Sequence, residues 1–249
     1  MPIVEAFGNR NLQEVHWNEI KALLKIEDFP LEERQFQLKQ LIEFNVASKQ
    51  EEIVHISVTA TQEHNLRRQV DEIEHALKTT EFEVIRHKDK DAHKLASIDV
   101  TQATIDELLN NISDISGSRY VKRLAHEVSV LQMKLITISE CLEQWKMCQR
   151  NWLYLENIFS SKDICDARKK DSNDFDAVNR AWGKLMKKVN SRRNVRQNCN
   201  DYWLQEFTRM NIDMDRITKN LETYLEVKRS EFPRFYFISN DELLQLLAT

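Results

Sequence analysis

Glycine and proline are almost missing from this chain, at three residues each in 249, against usual shares of roughly 7% and 5%. Turns are therefore scarce, and the fold must use long elements with few connections. The glycines, Gly8, Gly117 and Gly183, cannot be assembled into the G-x-x-x-x-G-K-S/T loop that cradles phosphates. The Gly183-Lys184 pair sits inside a helical pattern without the glycine that should precede it. H-E-x-x-H and G-x-S-x-G are absent too. Cys141, Cys148, Cys165 and Cys199 form no C-x-x-C pair and have no histidine at zinc spacing, which predicts free thiols in a reducing compartment. No apolar run approaches the roughly 18 residues that cross a bilayer. The start, MPIVEAFGNR, lacks the basic and apolar regions of a signal peptide. A net charge of -4 gives no general case for nucleic acid or an anionic membrane as partner. These absences predict a soluble, intracellular chain with no active site of its own.

What is present is periodic. Apolar residues make up 41% and charged ones 31%, enough for a core but a thin one, which suits elongated bundles. VHWNEIKALLK reads as a short helix with Trp17, Ile20 and Leu24 on one side. FPLEERQFQLKQLIEF opens another, with Pro30 at its first position and Glu32 and Glu33 at its positive end. A long helix from about residue 48 to 80 carries the stripe Leu66, Val70, Ile73, Leu77. The longest, about 121 to 159, runs Val121, Leu124, Val128, Leu131, Leu135, Ile138, Leu142, Trp145 and Trp152 in steps of three and four, interrupted by Gln149. That is the spacing of a helix buried along one seam. Its end, NWLYLENIF, is apolar on more than one face and should be enclosed. Two later helices hold Phe175, Val178, Trp182, Leu185, Val189 and Phe207, Met210, Met214, Ile217, Leu221, Tyr224.

Between these, EFEVIRHKDKDAHKLASID alternates and reads as a β-hairpin with a polar tip at His87 to Lys94. In TQATIDELLNNI the helix cap is either Thr104 with Glu107 or Asp99. The fold class is mostly α, an elongated array of antiparallel helical bundles with one small β-hairpin. Residues 1–14 are an extended or flexible start, 15–118 a first helical part with the hairpin near 81–98, and 119–249 a second. His87 and His93 flank the hairpin tip, where a solvated turn suits them better than a metal site. Cys141 and Cys148, seven apart, suit small core residues better than a redox pair. Lys187, Lys188, Arg192, Arg193 and Arg196 lie in or beside an asparagine-rich connection. They suit a solvated loop first and an acidic protein surface second; nucleic acid is disfavoured because no stacking aromatics interleave.

Three stretches carry a resemblance: LEQWKMCQRNWLYLENIFSSKDI (142–164), FDAVNRAWGKLMKK (175–188) and LETYLEVKRSEFPRFYFISNDELLQLL (221–247). Trp145, Gln149, Trp152, Tyr154, Leu155, Glu156, Ile158, Phe159, Asp163 and Ile164 form the first pattern. Tyr224 to Arg229 and Phe232 to Leu244 form the second. In order, spacing and separation they resemble the linker region of dynein heavy chains, and weaker likeness continues over about residues 15 to 249. The Ser-Asn-Asp-Glu form resembles axonemal chains more than cytoplasmic ones. Asn157, where the family often has Pro, and CDARKKDSND, which lacks the usual Leu-Pro, depart from the pattern and put the loops at 157 and 165–172 in doubt.

The resemblance implies a mechanical lever that bends and straightens across a ring of six AAA+ modules in the same heavy chain, driving a power stroke along microtubules. It implies no catalytic residue, cofactor or metal in this segment, since ATP and Mg would be held by the ring modules. It implies the ring as intramolecular partner, other dynein chains through the parent's tail, and no direct contact with microtubules, nucleic acid or membrane. The location implied is the cytoskeleton, within the cytoplasm or the axoneme of a cilium or flagellum. The alternative is a free-standing, spectrin-like helical scaffold, which should show repeats of similar length. The candidate interaction or hinge surface is Arg234, Tyr236, Asp241, Glu242, Arg192 and Arg193. The expected motif core is Trp145, Trp152, Tyr154, Phe159, Phe232, Pro233, Phe235 and Phe237. Phe232, Phe235 and Phe237 are expected on the buried side of a short extended segment, with Arg234 and Tyr236 opposite. Pro233 breaks the preceding helix, and Ser239 or Asn240 caps the next.

Overall fold

The computed structural model describes residues 2–26, 46–88 and 92–247. Among them the chain is mostly helical, with one two-stranded antiparallel sheet. The helices are α1 (Pro2–Phe7), α2 (Glu14–Leu24), α3 (Gln50–Thr79), α4 (Ile98–Ser116), α5 (Ala125–Ile158), α6 (Lys162–Ala167), α7 (Lys169–Ser191), α8 (Val195–Asn198), α9 (Asp201–Glu231) and α10 (Asn240–Leu247). The strands are β1 (Val84–His87) and β2 (Ala92–Leu95), with Val84 opposite Leu95 and His87 opposite Ala92. The helix expected from FPLEERQFQLKQLIEF lies outside the described residues. No described helix is long and apolar enough to cross a membrane.

The chain forms two compact units, residues 1–74 with 111–130, and residues 75–110 with 131–249. These boundaries differ from the break expected at 118/119. The boundaries fall inside α3, α4 and α5, helices whose unbroken periodicity gives no compositional mark of a division. The start is also not extended: residues 2–7 are helical, and Ala6 is buried with Val46 and Ile53.

In the first unit, Phe7 stacks on Trp17 of α2 at 5.9 Å. His16, 1% exposed, accepts the Gln13 backbone N–H on Nδ1 and meets Glu63 through Nε2 at 3.0 Å. Arg123 bonds the same Glu63 oxygen at 2.8 Å and also reaches Glu19. Burial of an ionised carboxylate is tolerated only with such partners. Asn9 joins α3 through Ser57 and Thr61.

From Val128 onward the seam is as the spacing predicts, whereas Val121 and Leu124, both half-buried, lie in or just after a 3-10 turn that precedes α5. Val128, which precedes the unit boundary, is buried, as are Leu131, Leu135, Ile138, Leu142, Trp145 and Trp152 of α5, with Gln149 half-buried in the same register. Phe175, Val178, Trp182, Leu185 and Val189 of α7 and Phe207, Met210, Met214, Ile217 and Leu221 of α9 are buried as well. Leu225, not Tyr224, continues the α9 stripe. Cys141, Cys148 and Cys199 are free and buried. Burial, then the neighbouring Cys141, pushes the Cys199 thiol well up. Burial alone raises Cys148. These sulfurs behave as small core residues.

The α4 cap differs from both expectations. The helix begins at Ile98, so Asp99 is already in its first turn. Thr104 lies inside, returning its hydroxyl to the Val100 carbonyl at 3.1 Å.

Candidate functional site

The most ring-dense part of the second unit is the stack that binds α5, α7 and α9. Trp145 lies 4.6 Å from Phe207 and 5.8 Å from Trp203, both stacked, and 4.8 Å from Phe82 at a tilt. Two turns on, Trp152 stacks on Trp182 at 5.1 Å, and its Nε1 donates to Asn179 Oδ1 at 3.0 Å. Each such pair adds about 0.5–1.5 kcal/mol beyond the area it buries. Rings of this size, placed at whole-turn spacing on three helices, leave little freedom for those helices to slide.

The hairpin is locked against this stack. Gln149 of α5 bonds the Leu95 backbone in both directions, at 2.8 and 3.0 Å, which explains a polar residue in the seam. The Trp182 indole donates to the His93 carbonyl at 3.2 Å. Before the hairpin, Phe82 N donates to Arg193 O and Val195 N to Thr80 O. Asn194 also ties the Lys78 carbonyl at 2.7 Å.

His87, which flanks the hairpin tip, does not sit in solvent as expected. His87, 8% exposed, packs edge-on against Trp152 at 5.1 Å. Lys88, in the left-handed region at φ 53, donates to Glu156 Oε2 at 2.6 Å, and His87 Nε2 approaches the same oxygen at 3.4 Å. A non-glycine residue in that conformation costs about 1–2 kcal/mol, which the ion pair to a nearly buried carboxylate offsets. Glu156 was readable only as a motif letter; its isolation within apolar NWLYLENIF was the available signal that it needed a partner.

Beside this cluster is an open cavity of about 750 Å³ lined by His87, Tyr154, Glu156, Ser160, Asp241 and Leu244 among others. Among the described residues no group of three or more His, Cys, Asp or Glu could hold a metal ion. The Tyr154 phenol is pushed up to about 12 by burial, then by the charge of Asp241 and a hydrogen bond donated to it, and by Glu222.

The expected motif core divides. Trp145 and Trp152 are buried, and Phe159 is half-buried, stacked on Phe175 at 5.3 Å. Tyr154 is 37% exposed and is not core. Phe232 and Phe237, expected as core, are 58% and 90% exposed, Pro233 is exposed, and Phe235 is half-buried. The reason is backbone geometry. Residues Pro233–Phe237 form a 3-10 helix, not an extended segment, so rings three apart share a side, as Phe232 and Phe235 do at 5.5 Å. Phe237 then points elsewhere. Arg229 holds the turn, donating to the Phe235 and Ile238 carbonyls at 3.4 and 3.0 Å.

Arg234 and Tyr236 are exposed, but no alternating strand sets them opposite the rings. Asp241 lines the cavity, whereas Glu242 is committed to a capping box, accepting from Ser239 N and Oγ at 2.9 Å, with Ser239 Oγ accepting from Glu242 N. Arg192 and Arg193, exposed in the α7–α8 connection, are not among the cavity's lining. The departure at Asn157 is absorbed in the last turn of α5, where Ser160 Oγ bonds its carbonyl. The 165–172 departure coincides with a break between α6 and α7 at Arg168, whose guanidinium pairs with buried Asp171.

Residues 1–249 match the family described as dynein heavy chain, N-terminal region 2. The chain is 37% identical over 254 residues to human dynein axonemal heavy chain 6. It is 33% identical over 249 residues to human dynein axonemal heavy chain 2 and 32% to human dynein axonemal heavy chain 1. Each match covers 100% of this chain and 6% of the relative, so the chain spans a small part of the length of these proteins. With the whole chain matched by the family and covered in full by these axonemal heavy chains, it belongs to the dynein heavy chain family, in its N-terminal region 2.

Proposed function

We propose that this chain is part of the linker of an axonemal dynein heavy chain, the lever that bends and straightens over the AAA+ ring to produce the power stroke. ATP and Mg are then held by ring modules elsewhere in the heavy chain, the ring is its intramolecular partner, and the axoneme of a cilium or flagellum is its location. The observation that carries this reading is the aromatic stack joining α5, α7 and α9, in a chain of the dynein heavy chain family. A lever must transmit force without its helices shearing. Close-packed interiors resist compression and pass strain onward, and stacked tryptophans at whole-turn spacing supply that resistance.

The test is made in the complete heavy chain. Trp182→Ala, which removes one ring of the stack, is expected to leave microtubule-stimulated ATP turnover within about twofold while slowing microtubule gliding by several fold. Gliding that stays at the parent speed in a variant with a measurably loosened second unit would overturn the lever reading. So would saturable micromolar ATP binding by the isolated 249-residue chain.

A further inference from the structure

A second feature, independent of the lever reading, lies on the outer face of α7 where it meets α9. Ala177, Ala181 and Leu185 fall four residues apart on α7 and form the floor of an open groove of about 570 Å³. Arg180, Lys184 and Lys188, also four apart, edge the same groove. Two parallel rows thus run along one helix, an apolar one and a cationic one, each spanning about 12 Å at 1.5 Å per residue. Tyr202 of α9, 53% exposed, closes one side, with the Lys188 ammonium 5.8 Å from its ring.

Several exposed basic residues on other helix faces have an acidic partner a turn away, as in Arg68–Glu72, Lys219–Asp215 and Lys228–Glu231, and on the α9 side of this groove Arg209 pairs with Glu206. Arg180, Lys184 and Lys188 take part in no ion pair among the described residues, although Asp176 is one turn from Arg180. Arg192 and Arg196, exposed just beyond the end of α7, extend the positive field in a chain whose net charge is -4. A solvated face would mix signs, as the other faces do. The α7 edge keeps one sign, and Glu206, which also lines the groove, is already paired with Arg209 of α9; beside Ala177 and Ala181, whose small side chains allow close approach of another backbone, this edge is complementary to an acidic polypeptide.

We propose that this groove docks an acidic amphipathic helix of a partner protein. Its apolar stripe would rest on Ala177, Ala181 and Leu185, and carboxylates repeating every fourth residue would meet Arg180, Lys184 and Lys188. Spacing matched between two helices is what ridge-into-groove packing requires, and the charge row sets orientation and on-rate. Nucleic acid fits the floor less well, since it gains from successive stacking rings and Tyr202 is the single exposed ring of the groove.

The test uses the 249-residue chain and a labelled synthetic peptide of about five helical turns, with Glu at every fourth position beside a Leu stripe. Fluorescence anisotropy at low salt should show saturable binding. Binding should be at least tenfold tighter than that of a peptide of the same composition in scrambled order, or of oligothymidylate. Lys184→Glu with Lys188→Glu should weaken it at least tenfold, and Tyr202→Ala several fold, with far-UV circular dichroism unchanged. If the double reversal disturbs the fold, Lys184→Gln with Lys188→Gln provides the same comparison with no added charge. Equal binding of the scrambled peptide, preference for oligothymidylate, no saturation, or indifference to the lysine substitutions would each overturn the proposal.

Discussion

Trp145 and Trp152 offer a matched pair for testing what an indole N–H contributes. Both lie on α5, both are 0–1% exposed, and both stack on other aromatics. They differ in one respect. Trp152 Nε1 donates to Asn179, whereas Trp145 Nε1 is buried with no acceptor among the described protein groups. Substitution by Phe removes about three heavy atoms at either site, costing about 2 kcal/mol at ~0.8 kcal/mol per buried carbon-sized group. At Trp152 the change also loses a hydrogen bond of about 1 kcal/mol net. Asn179 is exposed, so its carbonyl regains water and adds little further cost.

At Trp145 the change removes a buried, unpaired donor whose desolvation costs about 1–3 kcal/mol, which offsets most of the lost packing. Trp152→Phe should therefore destabilise by about 3 kcal/mol and Trp145→Phe by about 1 kcal/mol or less. Urea unfolding followed by far-UV circular dichroism reads both, and both sites lie in the same unit, so they report on one transition. Costs that agree within about 0.5 kcal/mol, or a larger cost at Trp145, would refute the reasoning.

Three further outcomes follow from single sites. Gly183 lies inside α7, and a Cβ added there meets nothing within 4 Å; Gly183→Ala should stabilise by about 0.5–1 kcal/mol, seen as a higher urea midpoint. Asn200 caps α9 by accepting from Tyr202 N and Trp203 N at 3.1 and 3.3 Å, so Asn200→Ala should cost about 1 kcal/mol, and an unchanged midpoint would remove the cap from the account. Tyr154 has a folded-state pKa of about 12 against an ordinary 10. The proton is held more tightly in the folded state, so this contribution is complete below pH 10 and is lost as pH rises from 10 through 12. A phenolate absorbance titration, taken as the difference from Tyr154→Phe, should show Asp241→Asn moving this titration back toward 10; no movement would mean that Asp241 does not act on the phenol.

The limits of reading this sequence are set by the range of the interactions involved. The α5 seam was legible because each buried residue announces the next, three or four positions away, and the α7 and α9 stripes follow the same local rule. The hairpin was legible from its alternation. The Glu156 contact beside its tip was not, because His87 and Glu156 are 69 residues apart, and the isolation of Glu156 in an apolar stretch signals a need for a partner without identifying it. Asn194, which reaches the Lys78 carbonyl across 116 residues, looked like loop composition for the same reason. The unit boundaries were invisible since they cut through helices whose periodicity never falters. The FPRFYF run failed differently. Its alternating rings satisfy the period of a strand, yet Pro233 fits equally well in the first turn of a tight helix, and Arg229, one turn upstream, has the donors to fasten that turn. Once the backbone repeats at three and not at two, the shared face vanishes, and hydrophobicity alone no longer decides which ring is buried. Phe237 is the residue for which that choice of period matters most.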